Sequence, residues 1–354
     1  MRPTLIRTTL CLGLPVLVIV SLLGCVKREE TIKVARDGGV TIRVEYHDAD
    51  SLAELHEGDA APSEEGGWTV REWSAPTGND NGKPVEEYGL AAEKSFPPGT
   101  PLAGSFARPG DEDAGLYLAF PTGLTIERRP DGIYYHFYRA YPKRPNWARL
   151  DAKSKESCEG IDEHVGERDV DEWTADDWLF VLKRLIPLEA AKMATFARSA
   201  LRDAAPEAPQ DAWLRVRAAL RAMEKEMDYN RLVDALTSAE DDEEQVRVIE
   251  AEAETVEAEA MDRMTSALEE VVGRDTRLTE EFAERYEWHK RYQEISEDLS
   301  DEGFEITIEM PGEIVAANAD KLEGNRATWE FDGEDLRDHG LDEFELMVTS
   351  RVNE

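Results

Sequence analysis

The chain has 354 residues, of which 41% are hydrophobic, enough for about two folded domains with real cores, and this excludes a disordered chain. Its 77 acidic and 41 basic residues give a formal net charge of -36 at pH 7. Because such a surface is repelled by phosphate backbones and anionic headgroups, the composition predicts no nucleic-acid partner.

The N-terminal segment, residues 1–24, predicts an export signal. Arg2 and Arg7 precede an apolar run at 10–23, interrupted by a glycine, a proline and a serine. Export signals combine a positive start with an apolar stretch of about 7–15 residues, whereas a helix that spans a bilayer needs about 20. The segment is therefore predicted to be removed, with an uncleaved anchor helix as the alternative.

The end of the apolar run, Leu22-Leu23-Gly24-Cys25, resembles the signal of bacterial lipoproteins. The resemblance implies cleavage before Cys25 and lipidation of its sulfur, with fatty chains such as palmitate. The mature protein would then be a lipid-anchored membrane protein of the cell envelope, facing the periplasm or the exterior. An ordinary signal peptide with an incidental Cys25 is the alternative, and Val26 leaves inner and outer membrane open.

Cysteine usage bounds the remaining chemistry. Cys11 would leave with the signal and Cys25 would carry lipid, which leaves Cys158. Such a cysteine cannot form a disulfide within the mature chain, so the sequence predicts that it is free, buried or paired with another chain. Since no metal-binding cysteine spacing occurs, the fold is predicted to depend on packing.

Residues 25–165 are predicted to be rich in β-strands. Strands alternate apolar and polar residues at 31–34 and 40–46, and Asp37-Gly38-Gly39 between them suits a tight hairpin. Further strands are predicted at 68–73, 116–120, 124–128 and 133–139, the last three as an antiparallel meander. Loops are predicted at 48–66 and 96–101 and a turn at 77–83. In the last strand, Tyr135, Phe137 and Arg139 would share one face, with Tyr134, His136 and Tyr138 on the other, either covered or available to a ligand.

Residues 166–300 change to a helical period. Thr174 with Asp177 resembles a capping box, and Pro187 is predicted to kink or split the helix that follows. Helices are then predicted at 209–239, from about 241 to Gly273, and at 279–299. Apolar residues spaced 3 and 4 apart predict an antiparallel, coiled-coil-like hairpin or bundle.

Residues 301–354 return to strands, at 304–310, 313–318, 327–331 and 344–352. The closing motifs, Met310-Pro311-Gly312, Glu323-Gly324-Asn325 and Ala327-Thr328-Trp329-Glu330-Phe331, resemble envelope lipoproteins of the LppM type. The resemblance implies a mixed β/α domain with a hydrophobic groove suspected of binding lipids, in which the first hairpin and the last four strands share one sheet. The helical segment has no counterpart in that pattern. We therefore expect an α+β fold: an antiparallel β domain built from N-terminal and C-terminal strands, with a long helical insertion.

The sequence offers few candidates for chemistry. The six histidines form no metal-binding pair, and the loop around Asn79 and Asp80 lacks the first and last ligands of an EF-hand, so no metal or cofactor is predicted. No nucleophile elbow or phosphate-binding loop occurs. The expected function is non-enzymatic: an anchored lipoprotein that binds a lipid-like ligand or an envelope protein partner. The alternative is an envelope enzyme acting on glycan with dispersed carboxylates, such as Glu305, Glu309 and Glu330.

Overall fold

The computed structural model describes residues 26–49, 61–80, 83–111, 113–144, 148–166, 168, 170–208, 210–239, 242–273, 276–338 and 343–353. The predicted signal and Cys25 lie outside these residues, as do most of the loop predicted at 48–66 and the tip of the turn predicted at 77–83. The chain divides into two compact units. We call Leu23–Asn146 with Tyr292–Glu354 the β unit, and Trp147–Arg291 the helical unit.

The β unit contains two sheets. Its strands are β1 (Lys27–Val34), β2 (Val40–Ala49), β3 (Thr69–Asp80), β4 (Lys83–Phe96), β5 (Thr122–Arg129), β6 (Gly132–Pro142), β7 (Gly303–Glu309), β8 (Glu313–Ala317), β9 (Lys321–Glu323), β10 (Arg326–Asp332) and β11 (Glu343–Val352). One sheet has seven strands in the order β3-β4-β2-β1-β7-β10-β9, and the other has four in the order β5-β6-β11-β8. All the long helices fall in sequence between β6 and β7, and one four-residue helix follows β10, so the predicted α+β fold with a helical insertion is confirmed.

The first hairpin forms as its sequence predicts. Gly38 takes a φ of 89°, the left-handed conformation that glycine adopts without a steric cost. The Ala35 amide donates to the Gly39 carbonyl at 2.8 Å, and Asp37 Oδ1 accepts from the Gly39 amide at 2.9 Å. β1 then pairs with β2 on one side and with β7, in parallel, on the other. The first strand therefore lies at the centre of its sheet and joins the two ends of the chain.

Three strand predictions need correction. Residues 116–120 form no strand, although Leu116, Leu118 and Phe120 are buried, because the Phe120 amide bonds to the Gly104 carbonyl in an irregular crossing. β4 was not predicted, since prolines, glutamates and glycine interrupt its pattern. β8 and β11 belong to the four-stranded sheet and not to the sheet of the first hairpin, because β11 pairs with β6 on one side and with β8 on the other.

The inner faces of both sheets contribute to one core. It includes Ile32 and Ile42 from the seven-stranded sheet and Phe137 and Val348 from the other. The alternation in β6 predicted one core face without specifying which, and the structure buries the face with Tyr135, Phe137 and Arg139. The end of the last long helix also contributes to this core, through Ile295 and the following Leu299.

The helical elements are α1 (Ala148–Cys158), α2 (Ile161–Val165), α3 (Ala175–Ala204), α4 (Gln210–Glu226), α5 (Tyr229–Ser238), α6 (Asp242–Val272), α7 (Thr276–Asp298) and α8 (Asp335–Asp338).

The capping box of α3 is confirmed: the Asp177 amide donates to Thr174 Oγ1, and the Thr174 amide donates to Asp177 Oδ2. Arg168 donates two further bonds to Asp177, at 2.6 and 2.9 Å, and these lower the pKa of the carboxyl well below its usual value.

The helix predictions also need correction. α1 was missed, because its sequence is polar and has few apolar positions. Pro187 lies inside a continuous α3, so the predicted split is wrong. The helix predicted at 209–239 is two helices, because Asp228 caps the start of α5 by accepting from the Arg231 amide. Within the described part of the chain, no helix combines the length and apolar character needed to cross a bilayer.

Candidate functional site

A buried ion cluster lies between the two sheets. Arg28 and Glu30 occupy inward-facing positions of β1, and Arg139 occupies one of β6; all three are at most 1% exposed. Arg28 Nη2 donates to Glu30 Oε1 at 2.6 Å, and Arg139 Nη1 donates to Glu30 Oε2 at 2.7 Å. One carboxylate therefore holds two guanidinium groups, one from each sheet.

Among the described residues, the cluster sets two guanidinium groups against one carboxylate, in the midst of aromatic rings. Burial by itself raises the pKa of Glu30, but the attraction of Arg139 and Arg28 outweighs it, so the pKa of this carboxyl is lowered. The Arg28 guanidinium carbon lies 4.5 Å from the centre of the Phe106 ring, and that of Arg139 lies 4.6 Å from the Phe120 ring. Ring faces attract cations, which offsets part of the cost of burying the charge. The interior here is thus charged and aromatic.

A row of four glutamates crosses the outer face of the seven-stranded sheet. In the pairing register Glu29 lies opposite Glu45 on β2 and beside Glu305 on β7, and Glu305 lies opposite Glu330 on β10. Lys27 donates to Glu29 at 2.6 Å and to Glu305 at 3.0 Å. These two carboxylates raise the pKa of the Lys27 ammonium. The fold thus gathers acidic side chains that are far apart in the sequence.

The three glutamates of the enzymatic alternative share this face. Glu305 and Glu330 are direct cross-strand neighbours, while Glu309 is bonded to Arg326. Glu305 is held by Lys27. Polar residues are the normal occupants of the solvent side of an antiparallel pair. Their arrangement therefore has a structural explanation.

The outer face of the four-stranded sheet carries aromatic side chains. We call Tyr134, His136, Tyr138 and Met347 the outer aromatic face. Tyr138 lies directly opposite Met347, and the two are 36% and 44% exposed. His136 bonds to Thr349 Oγ1 at 3.0 Å, and the Tyr134 ring stacks on the His136 ring with centroids 6.4 Å apart. An apolar surface fixed in this way suits contact with a ligand or partner.

The fold gives each described histidine a nearby acidic side chain. The salt-bridge distances are 3.7 Å for His47 to Glu45, 3.6 Å for His136 to Glu127, 3.2 Å for His164 to Asp177 and 2.8 Å for His289 to Asp203. His56 and His339 lie outside the described residues. The prediction that no histidines pair with one another to bind a metal stays a prediction.

Of the cysteines, Cys25 and Cys11 lie outside the described residues. Cys158 is the last residue of α1, half-buried and disulfide-bonded, which contradicts the prediction that no disulfide within the chain includes it.

Similarity to known proteins does not assign this chain to a family. No protein-family model matches the chain. No curated protein matches it either. Among solved structures, the chain is similar to the NMR structure of the folded domain of Mycobacterium tuberculosis LppM, over 94% of this chain and 92% of that one, with 8% identity and a TM-score of 0.25. A TM-score of this size does not establish a shared fold, so no property of that domain is carried over.

Proposed function

We propose that this chain is an exported, lipid-anchored envelope protein that binds a lipid-like ligand or a protein partner and has no enzymatic activity. The observation that carries the proposal is the position of Cys25. It closes a sequence typical of lipoprotein signals, and Val26 alone separates it from the first residue of β1.

The short connection has a geometric consequence for the proposed anchor. The Cα atoms of Cys25 and Lys27 can be at most about 7 Å apart, because an extended chain spans about 3.3–3.6 Å per residue. Fatty chains on Cys25 would therefore hold the beginning of β1 at the level of the lipid headgroups. Since the chain is strongly acidic, the acyl chains would have to hold it at an anionic membrane without help from a basic surface.

The outer aromatic face is the surface that we propose for ligand or partner contact. Tyrosine and methionine are enriched at the centres of interfaces, because their side chains bury much apolar area. We favour binding over glycan hydrolysis because Lys27 and Arg326 hold two of the three candidate carboxylates, and a glycosidase needs two carboxyl groups that flank a bound sugar.

Replacing Cys25 with alanine tests the anchor. We expect the wild-type protein to fractionate with membranes and to carry a diacylglyceryl mass on its first residue, whereas Cys25→Ala loses that mass and its membrane association. Cys11→Ala is the matched control, because the same change 14 positions earlier should leave both properties intact. Membrane fractionation and intact mass spectrometry measure them. Native protein without an acyl mass, or a Cys25→Ala variant that still fractionates with membranes, would refute the anchor.

Replacing Met347 with lysine tests the binding surface. The new charge would have to lose its water in any contact, so we expect the affinity for a copurified ligand or partner to fall about tenfold, equivalent to about 1.4 kcal/mol, and its occupancy to fall with it. Leu322→Lys is the control, because Leu322 is also an exposed strand residue, at 55%, but lies on β9 of the other sheet. Native mass spectrometry of protein extracted from its own membrane measures occupancy. Equal loss in both variants, or in neither, would contradict this assignment.

A further inference from the structure

The first hairpin brings His47 to two glutamates. Glu29 on β1 lies opposite Glu45 on β2, and Lys27 lies opposite His47 in the same register. One ligand atom from each of Glu29, Glu45 and His47 lies within 4.8 Å of the other two. All three residues are half-buried. The cluster is thus a mixed set of one imidazole and two carboxylates on the outer face of the sheet.

The imidazole of His47 is supported from the neighbouring strands. The Trp73 ring on β3 lies 5.7 Å from the His47 ring, tilted by 55°. Trp73 reaches His47 across β4 because its register partner there is Gly89. A Cβ on Gly89 would lie 2.1 Å from the Trp73 ring. The glycine therefore leaves the space through which the Trp73 ring packs against the His47 ring and limits its orientations.

The donor set suits a divalent transition-metal ion. Imidazole nitrogen and carboxylate oxygen both bind Zn²⁺ at about 2.0–2.2 Å, and tetrahedral ligands at that distance lie about 3.4 Å apart. The ligand atoms, which lie at most 4.8 Å apart, would therefore have to approach one another by about 1.4 Å or less on metal binding. Rotation of the half-buried side chains can supply this movement. Three protein ligands leave a further coordination position for water or another group.

The surrounding cations compensate the carboxylates when no metal is bound. Lys27 donates to Glu29 Oε1, and Arg43 pairs with Glu45 Oε1. Glu45 Oε2, the other oxygen, faces His47 Nε2 at 3.7 Å. Glu45 can thus keep its arginine and still ligate with its second oxygen, whereas Lys27 competes with a metal for Glu29.

We propose that Glu29, Glu45 and His47 bind one divalent transition-metal ion of the Zn²⁺ class. The site lies at the end of the sheet where the chain enters from Cys25. It does not depend on the lipid anchor, so the two proposals can fail separately.

Titration of the purified full-length protein in detergent with ZnCl₂, followed by calorimetry, tests the site. We expect one saturable equivalent of Zn²⁺ in the wild type and at least tenfold weaker binding in His47→Asn and in Glu45→Gln. Lys27→Met should bind more tightly, because the competitor for Glu29 is gone. His136→Asn and Glu309→Gln are matched controls, a histidine and a glutamate on outer sheet faces, and should bind as the wild type does.

The same measurements can overturn the proposal. It fails if the wild type shows no saturable binding, if His47→Asn and Glu45→Gln bind as tightly as the wild type, or if the two controls lose binding equally. Thermal unfolding without metal establishes that each variant is folded. If His47→Asn does not fold, Glu45→Gln decides, since that change keeps the size of the side chain.

Discussion

Replacing Glu30 with glutamine is expected to destabilise the β unit by about 3–5 kcal/mol. The change removes the charge of the carboxylate that both arginines contact, and it leaves Arg28 and Arg139 charged and fully buried. Their guanidinium groups cannot lose a proton near neutral pH, so the cost of burial is not avoided. Urea unfolding, with hydrogen exchange of the β1 and β6 amides as a local probe, measures the loss.

The matched control is Glu127→Gln. Glu127 also accepts a 2.6 Å bond from an arginine, Arg129, but both side chains are nearly half-exposed. A surface pair of this kind contributes little to stability, because water screens both charges. A Glu30→Gln variant that loses no more than Glu127→Gln would show that the buried cluster does not hold the two sheets together.

A triple replacement separates charge from packing. Changing Arg28 and Arg139 to methionine together with Glu30 to leucine removes the ions and keeps approximate volume. Buried ion networks replaced by apolar side chains are often neutral or more stable, so we expect most of the loss of Glu30→Gln to be recovered. Since the folded-state pKa of Glu30 is lowered, its contribution is present above its unfolded pKa of about 4.3 and is lost as the pH falls through the folded value. The triple variant should lack this part of the acid sensitivity.

Replacing Gly333 with alanine is expected to destabilise the β unit by about 3 kcal/mol or more. A Cβ at this position would lie 1.5 Å from the carbonyl oxygen of Leu299, which is backbone and cannot rotate away. The Gly333 amide also donates to the Glu302 carbonyl at 3.0 Å, so the turn after β10 is held against the segment before β7. Any shift that admits the methyl group must strain this contact. Thermal unfolding measures the effect.

Gly303→Ala serves as the comparison for Gly333→Ala. Gly303 begins β7, and a Cβ there would meet no atom within 4 Å. We expect a change of less than about 1 kcal/mol, in either direction, because alanine and glycine differ modestly in strands. Similar unfolding temperatures for the two variants would mean that the turn adjusts to the extra methyl group.

The sequence predicted those parts of the fold that depend on local chemistry. The hairpin at Gly38, the capping box at Thr174 and the helix end at Gly273, whose φ is 82°, follow from residues adjacent to one another. The assignment of strands to sheets depends on pairing across more than 200 positions. The periodicity of β11 fits either sheet, so only the tertiary structure places it beside β6.

The candidate sites were harder to predict. Arg28 and Glu30 precede the strand predicted at 31–34. They are nevertheless spaced two residues apart in phase with the buried Ile32 and Val34, and this was a signal that they face inward. His47 is one of six histidines, none of which has metal-binding spacing in the sequence. Spacing alone could not identify it, because one of its proposed partners, Glu29, lies on the opposite strand. The sequence offered no reason to single out Gly89. Its lack of a side chain matters because the Trp73 ring occupies that space, which only the structure shows.

The central place of β1 in its sheet has a consequence for biosynthesis. Its pairing with β7 joins residues 27–33 to residues 303–309. The earliest strand to be made therefore has one neighbour, β2, available at once, whereas the other is synthesised about 270 positions later. Until then one edge of β1 has unpaired amide and carbonyl groups, and such an edge can pair with other chains and cause aggregation. Folding of this unit is therefore expected to finish after release of the complete polypeptide, and truncation before residue 303 should yield insoluble material.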